Sequence, residues 1–165
     1  KEKIDSKSNF FELFSGDSAD KATFDSIVDS LKKYQRESVQ FAILHPPYAD
    51  IIKFSNQPED LSNCRSLNEF LEKFSQVSKN VIGILDKNRY LAVIIGDKYT
   101  KGQWIPLGFY CMNELQKLGL TLKSIIIKNM EGNRAKQNKE AIWKYRALSS
   151  DYYIFKHEYI LIFKK

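Results

Sequence analysis

The feature that most constrains this chain is the apolar run VQFAIL at 39–44, which stops abruptly on His45-Pro46-Pro47-Tyr48. A near-continuous apolar run of six residues is the pattern of a strand covered on both faces. Two successive prolines have no amide hydrogen to donate, so a sheet ladder must end where they begin. The strand therefore delivers a stiff turn and an aromatic ring at its carboxyl end. In open α/β sheets that is the end at which ligands bind.

The rest of the sequence alternates short apolar runs with amphipathic stretches, the pattern of an α/β layer fold in one domain. Residues 10–18 read as a short strand closing in a Gly16-Asp17 turn. Residues 18–33 read as a helix, with Ala22, Phe24, Ile27, Val28 and Leu31 at helical spacing. After the proline turn, 50–65 is polar and loop-like with about one helical turn. Ser66 followed by Glu69 is a capping-box pattern and opens a second helix over 66–85. Residues 90–95 form a strand ending at Gly96-Asp97, and 98–104 a loop. A helix over 107–118 closes at Gly119, and 121–128 is a strand. Residues 131–150 are polar and basic, with partly helical character. Residues 158–163 give a last strand, able to pair antiparallel with 121–128.

The chemistry that a Pro-Pro-aromatic turn offers is specific. A base turned out of a nucleic-acid stack needs a ring to lie on and acceptors for its amino protons. Tyr48 supplies the ring. Pro46 keeps its carbonyl, and the neutral His45 ring offers a second acceptor. Two acceptors on the two N–H bonds aim the nitrogen lone pair outward, and catalysis is then mainly a matter of positioning.

These residues resemble the motif of the DNA amino-methyltransferases, in which Asp, Asn or Ser precedes Pro-Pro and Tyr, Phe or Trp. FELFSGDS before the first helix, LAVIIGD after the motif and the terminal HEYILIFKK resemble further segments of that family. The resemblance spans about residues 13–165. It implies a Rossmann-like methyltransferase fold, mostly parallel, with an antiparallel terminal strand. It also implies methyl transfer from S-adenosylmethionine to adenine N6 or cytosine N4 of DNA, in a restriction-modification setting. His45 stands where the family uses Asp, Asn or Ser, which removes the clue that separates adenine from cytosine. None of the seven glycines makes the Phe-x-Gly-x-Gly loop that holds the cofactor in the family. Family members carry that loop before the GDS segment or after the HEY segment, so 1–165 reads as a single incomplete catalytic domain with a basic insertion at 129–150. The chain starts at Lys1 rather than Met, as expected of a piece of a longer protein. A second polypeptide, or a segment missing from this one, is then expected to carry the loop.

The resemblance assigns catalysis to His45, Pro46, Pro47 and Tyr48. It brings Asp17 near the adenine end of the cofactor, with helix capping as the plain alternative. Lys53 and Ser55 form a candidate lip over the base, and Trp104 a candidate pocket wall or a packed side chain. Lys136, Lys139 and Trp143 belong to a basic stretch with interleaved aromatics, a candidate DNA surface. The net charge of +6 is compatible with a polyanionic partner. No apolar run approaches the ~20 residues of a membrane span. Cys64 and Cys111, far apart, read as free thiols of a reducing cytoplasm, and no metal site is expected. Two rival readings are an RNA amino-methyltransferase and a non-catalytic nucleic-acid-binding subunit.

Overall fold

A computed structural model describes residues 12–130, 140–149, 151 and 156–165. Helix α1 spans Lys21–Lys33, α2 Leu67–Ile84, α3 Leu107–Lys117 and α4 Glu140–Ser149. Strand β1 spans Val39–Leu44, β2 Leu85–Ile95, β3 Lys98–Thr100, β4 Gln103–Ile105, β5 Thr121–Asn129 and β6 His157–Lys164. Four strands form one sheet in the order β1-β2-β6-β5, and β3 and β4 form a separate hairpin.

Local chemistry sets the helix ends. Asp20, not an earlier residue, caps α1: its carboxylate accepts from the Ala22 amide at 3.2 Å. Ser66 caps α2 as expected, accepting from the Glu69 amide at 3.1 Å. Glu69 reaches back to the Arg65 amide at 2.8 Å. Leu118 and Gly119 close α3, Gly119 with φ 87°.

The core lies on one face of the sheet. Phe70 and Phe74 of α2 and Leu107, Cys111 and Leu115 of α3 meet Leu91, Val93 and Ile95 of β2 and Leu161 and Phe163 of β6. All but Leu161 among these are at most 1% exposed. Removing such side chains costs both transfer energy and a cavity.

Three expectations need correction. Among the described residues 12–20 there is no strand, and 10–11 lie outside the described residues. β1 is not covered on both faces. Among the described residues it is an edge strand paired only with β2, and Phe41 and Ile43 are 51% and 58% exposed. The strand directions are as the sequence predicts: β1, β2 and β5 run the same way, and the terminal strand β6, inserted between β2 and β5, is antiparallel to both. Finally, residues 98–104 are not a loop but the β3–β4 hairpin. Lys101 (φ 50°) and Gly102 (φ 74°) form its two-residue turn, the left-handed pair that suits a tight hairpin. The antiparallel β5–β6 pair is as the sequence predicts.

Candidate active site

β1 ends at Leu44, and the next residues carry the chain across the carboxyl ends of β1 and β2. His45 is exposed, while Pro46, Pro47 and Tyr48 are half-buried. The His45 and Tyr48 ring centroids are 6.1 Å apart, inclined at 50°. A single 3-10 turn, Ala49–Ile51, follows at once. Tyr48 lies back over Gly96, the first residue past β2. A Cβ built at Gly96 would stand 2.8 Å from Tyr48 Cε2 and 3.2 Å from its Cδ2. Glycine is the residue that lets the ring come so close.

Burial first, then the negative charge of Glu158 at the start of β6, pushes the Tyr48 pKa well above its ordinary value. Glu158 is itself 9% exposed and pairs with Lys128 of β5 at 3.2 Å. Beyond the turn, Asp50 forms an ion pair with Lys98. The Lys98 hydrogen bond is the main reason the Asp50 carboxyl is held below the usual carboxylate range.

Asp97 forms the second tier. It is 2% exposed. Its Oδ2 accepts from Trp104 Nε1 at 3.0 Å and from the Tyr159 hydroxyl at 2.9 Å; its Oδ1 accepts from the Gly108 amide at 3.3 Å. Pro106 at the start of α3 makes no side-chain cap, so Asp97 serves that helix end from outside. Burial and the Asp97 hydrogen bond raise the Tyr159 pKa to about 12. The Tyr159 proton is committed to Asp97. Its oxygen then accepts from His157 Nε2, 3.1 Å away, which fixes the proton on that ring nitrogen.

Of the other residues picked out from sequence, Asp17 accepts from the Ala19 amide at 2.8 Å and shapes the turn before α1, rather than capping it. Lys53 is exposed on the lip. The Ser55 hydroxyl donates to Asp60 at 2.8 Å, which braces the lip from within. Trp104 keeps 40% of its surface exposed while its indole N–H is held by Asp97. Lys136 and Lys139 lie outside the described residues, and Trp143 is placed on α4 by its backbone. Sequence reasoning missed Asp97, Glu158 and the Asp50–Lys98 pair. The first two had signals: an acid directly after the strand glycine, and an acid in front of the terminal tyrosine.

A mixed α/β sheet with a Pro-Pro-aromatic turn at the carboxyl ends of adjoining parallel strands is the arrangement of an α/β enzyme that works at its strand ends. The family can be stated more closely. The model of the DNA methylase family matches residues 39–165, and the chain belongs to that family. It is also similar in fold to TTHA0409 of Thermus thermophilus, assigned as a DNA modification methylase. The TM-score is 0.56 and the identity 20%, over 91% of this chain and 50% of that one. Against TTHA0409 complexed with S-adenosyl-L-methionine, the TM-score is 0.55 at 20% identity, over 91% and 53%. The chain thus spans about half the length of the solved structures it matches. A comparison with curated protein sequences finds no match. No helix among the described residues is long and apolar enough to cross a membrane.

Proposed function

We propose that this chain is the base-binding part of an S-adenosylmethionine-dependent DNA methyltransferase that modifies adenine N6 or cytosine N4, in a restriction-modification setting. The observation that carries the reading is the His45–Tyr48 turn at the carboxyl end of β1, inside the segment that the DNA methylase family model matches. Tyr48 gives the target base a ring to stack on. The Pro46 carbonyl and the His45 ring in its neutral form accept the two amino protons and aim the nitrogen lone pair away from them. His45 takes up the proton that the amine sheds. Bound S-adenosylmethionine supplies the methyl group. The residues present fit one wall of its site, Asp17 and the proline turn, and no glycine pair here makes the cradle. That cradle belongs to a further segment or a second polypeptide, set beside the unpaired edge of β1.

Lys53 at the lip and exposed Lys123 and Lys144 with Tyr145 support backbone contact to DNA, together with Trp143, Lys136 and Lys139. Ser55 and Trp104 support the pocket through Asp60 and Asp97. The protein is expected to work in the cytoplasm, where DNA and a reducing environment coincide. The deciding experiment expresses the complete polypeptide in cells that lack adenine and cytosine amino-methylation. Their DNA is then digested and the nucleosides read by mass spectrometry. N6-methyladenine or N4-methylcytosine is expected, and finding neither rules the reading out.

A further inference from the structure

Two aromatic rings are mounted on consecutive residues just past β2. Gly96 receives the edge of Tyr48 at the distance already given, and Asp97 holds the indole N–H of Trp104 at 3.0 Å. Neighbouring Cα atoms lie ~3.8 Å apart, so the backbone fixes the spacing of the two mounts. Asp97 is 2% exposed and also accepts from the Tyr159 hydroxyl and the Gly108 amide, so three donors fix its carboxylate. Lys98, through its ion pair with Asp50, ties the hairpin that carries Trp104 to the chain just past Tyr48. Trp104 nevertheless keeps 40% of its surface exposed. Phe109, 44% exposed, packs edge-on against Tyr159 with the ring centroids 5.5 Å apart, and so shares that support. A tryptophan anchored inward by its polar atom, with this much of its surface left open, is built like a binding contact rather than a core side chain. Exposed Lys101 forms the tip of the same hairpin, which suits a polyanion.

We propose that Trp104, anchored by Asp97, is a DNA contact whose ring stacks on the nucleotide next to the target base, while Tyr48 takes the target itself. The proposal rests on the methylase reading, which supplies the DNA. A base turned out of the duplex stays joined to its neighbours through one phosphate on each side. With the target on Tyr48, an adjoining nucleotide therefore passes close to whatever is mounted beside Gly96. Every base has a π-face, so this contact grips the strand without reading its sequence. Lys101 at the hairpin tip then meets phosphate. The proposed methyl-transfer chemistry does not use the Trp104 ring, so its loss weakens binding and spares the chemical step.

Two measurements test this. In the active methylase acting on genomic DNA, Trp104→Ala should raise KM for DNA about tenfold, with kcat within about twofold. Trp104→Phe, which keeps a ring, should leave KM within about threefold of wild type. An unchanged KM in Trp104→Ala, or one raised equally in Trp104→Phe, overturns the stacking role. The second measurement needs no catalysis and is made on the complete wild-type polypeptide. The indole nitrogens are isotope-labelled, and the Trp104 resonance is assigned through Trp104→Phe. DNA is added as a duplex with a central A·C mismatch, which offers both candidate target bases unpaired. The Trp104 indole resonance should move together with the Tyr48 amide. A Trp104 resonance that stays in place while the Tyr48 amide moves overturns the proposal and leaves the methylase reading standing. If both move but the wild type methylates nothing, the contact stands and the methylase reading fails. If neither moves, both fall.

Discussion

Tyr48 is defined as much by what is missing beside it as by its own ring. Gly96→Ala would put a methyl group 2.8 Å from the ring, and the ring, being a side chain, would swing away. Methylation should fall while the unfolding midpoint stays nearly unchanged; a variant as active as wild type would show that ring placement does not matter. Gly108 differs, because its Cβ would stand 2.5 Å from the ring of buried Tyr159. There the neighbour is held by Asp97 and has less room to yield. Ser78, in α2, is a residue out of place. Its Oγ is fully buried and has no hydrogen-bond partner among the described residues. Ser78→Ala removes that unpaired hydroxyl and improves helix propensity, so it should stabilise the chain by about 0.5–2 kcal/mol in urea unfolding. A loss of stability would reveal a hidden partner.

At the level of elements, two short pieces hold the proline turn in place. The β3–β4 hairpin is tethered through Trp104 to Asp97, and Lys98 at its start holds Asp50 just past Tyr48. Asp50 has a lowered carboxyl pKa, so its contribution is present above the ordinary carboxylate value and fades as pH falls through the depressed one. The lip should therefore stay closed at neutral pH and loosen only in acid, below about pH 4. Asp50→Asn should loosen it at every pH, as read by faster amide exchange over 49–54. Exchange that does not differ between variant and wild type would mean the ion pair holds nothing. Tyr159 works at the other end of the scale. Its pKa is raised from 10.0 to about 12, so the stability it contributes is fully present below about pH 10 and lost as pH climbs to about 12. Tyr159→Phe should flatten that stretch of the alkaline unfolding curve.

At the scale of the whole molecule, an edge and a face are left uncovered among the described residues. Phe41 and Ile43 of β1 continue across the sheet into Ala92, Ile94 and Ile160, and Ile126 of β5 is 47% exposed beside them. This is the face opposite the α2–α3 core. An unpaired apolar edge strand recruits other strands. The isolated chain should self-associate at micromolar concentration, and Ile43→Lys with Phe41→Thr should reduce this without unfolding it, as measured by sedimentation velocity. The isolated chain should also bind S-adenosylmethionine poorly in calorimetric titration. Micromolar binding by a well-folded monomer would mean that the cofactor cradle is present after all.

The sequence by itself determined what is local. The Ser66–Glu69 box, the closure of α3 at Gly119 and the stop at Pro46-Pro47 all follow from side-chain and backbone chemistry within a few residues. The motif was legible for the same reason, because its prolines and ring act where they stand. Only the tertiary structure decided the rest. An apolar run reads alike whether both faces or one are covered, so β1 could not be told from an interior strand. The place of β6 between β2 and β5 depends on pairing partners far apart in sequence. That placement alone brings Tyr159 to Asp97. A contact across some sixty residues leaves no local period to read, because it is fixed by strand order rather than by propensity.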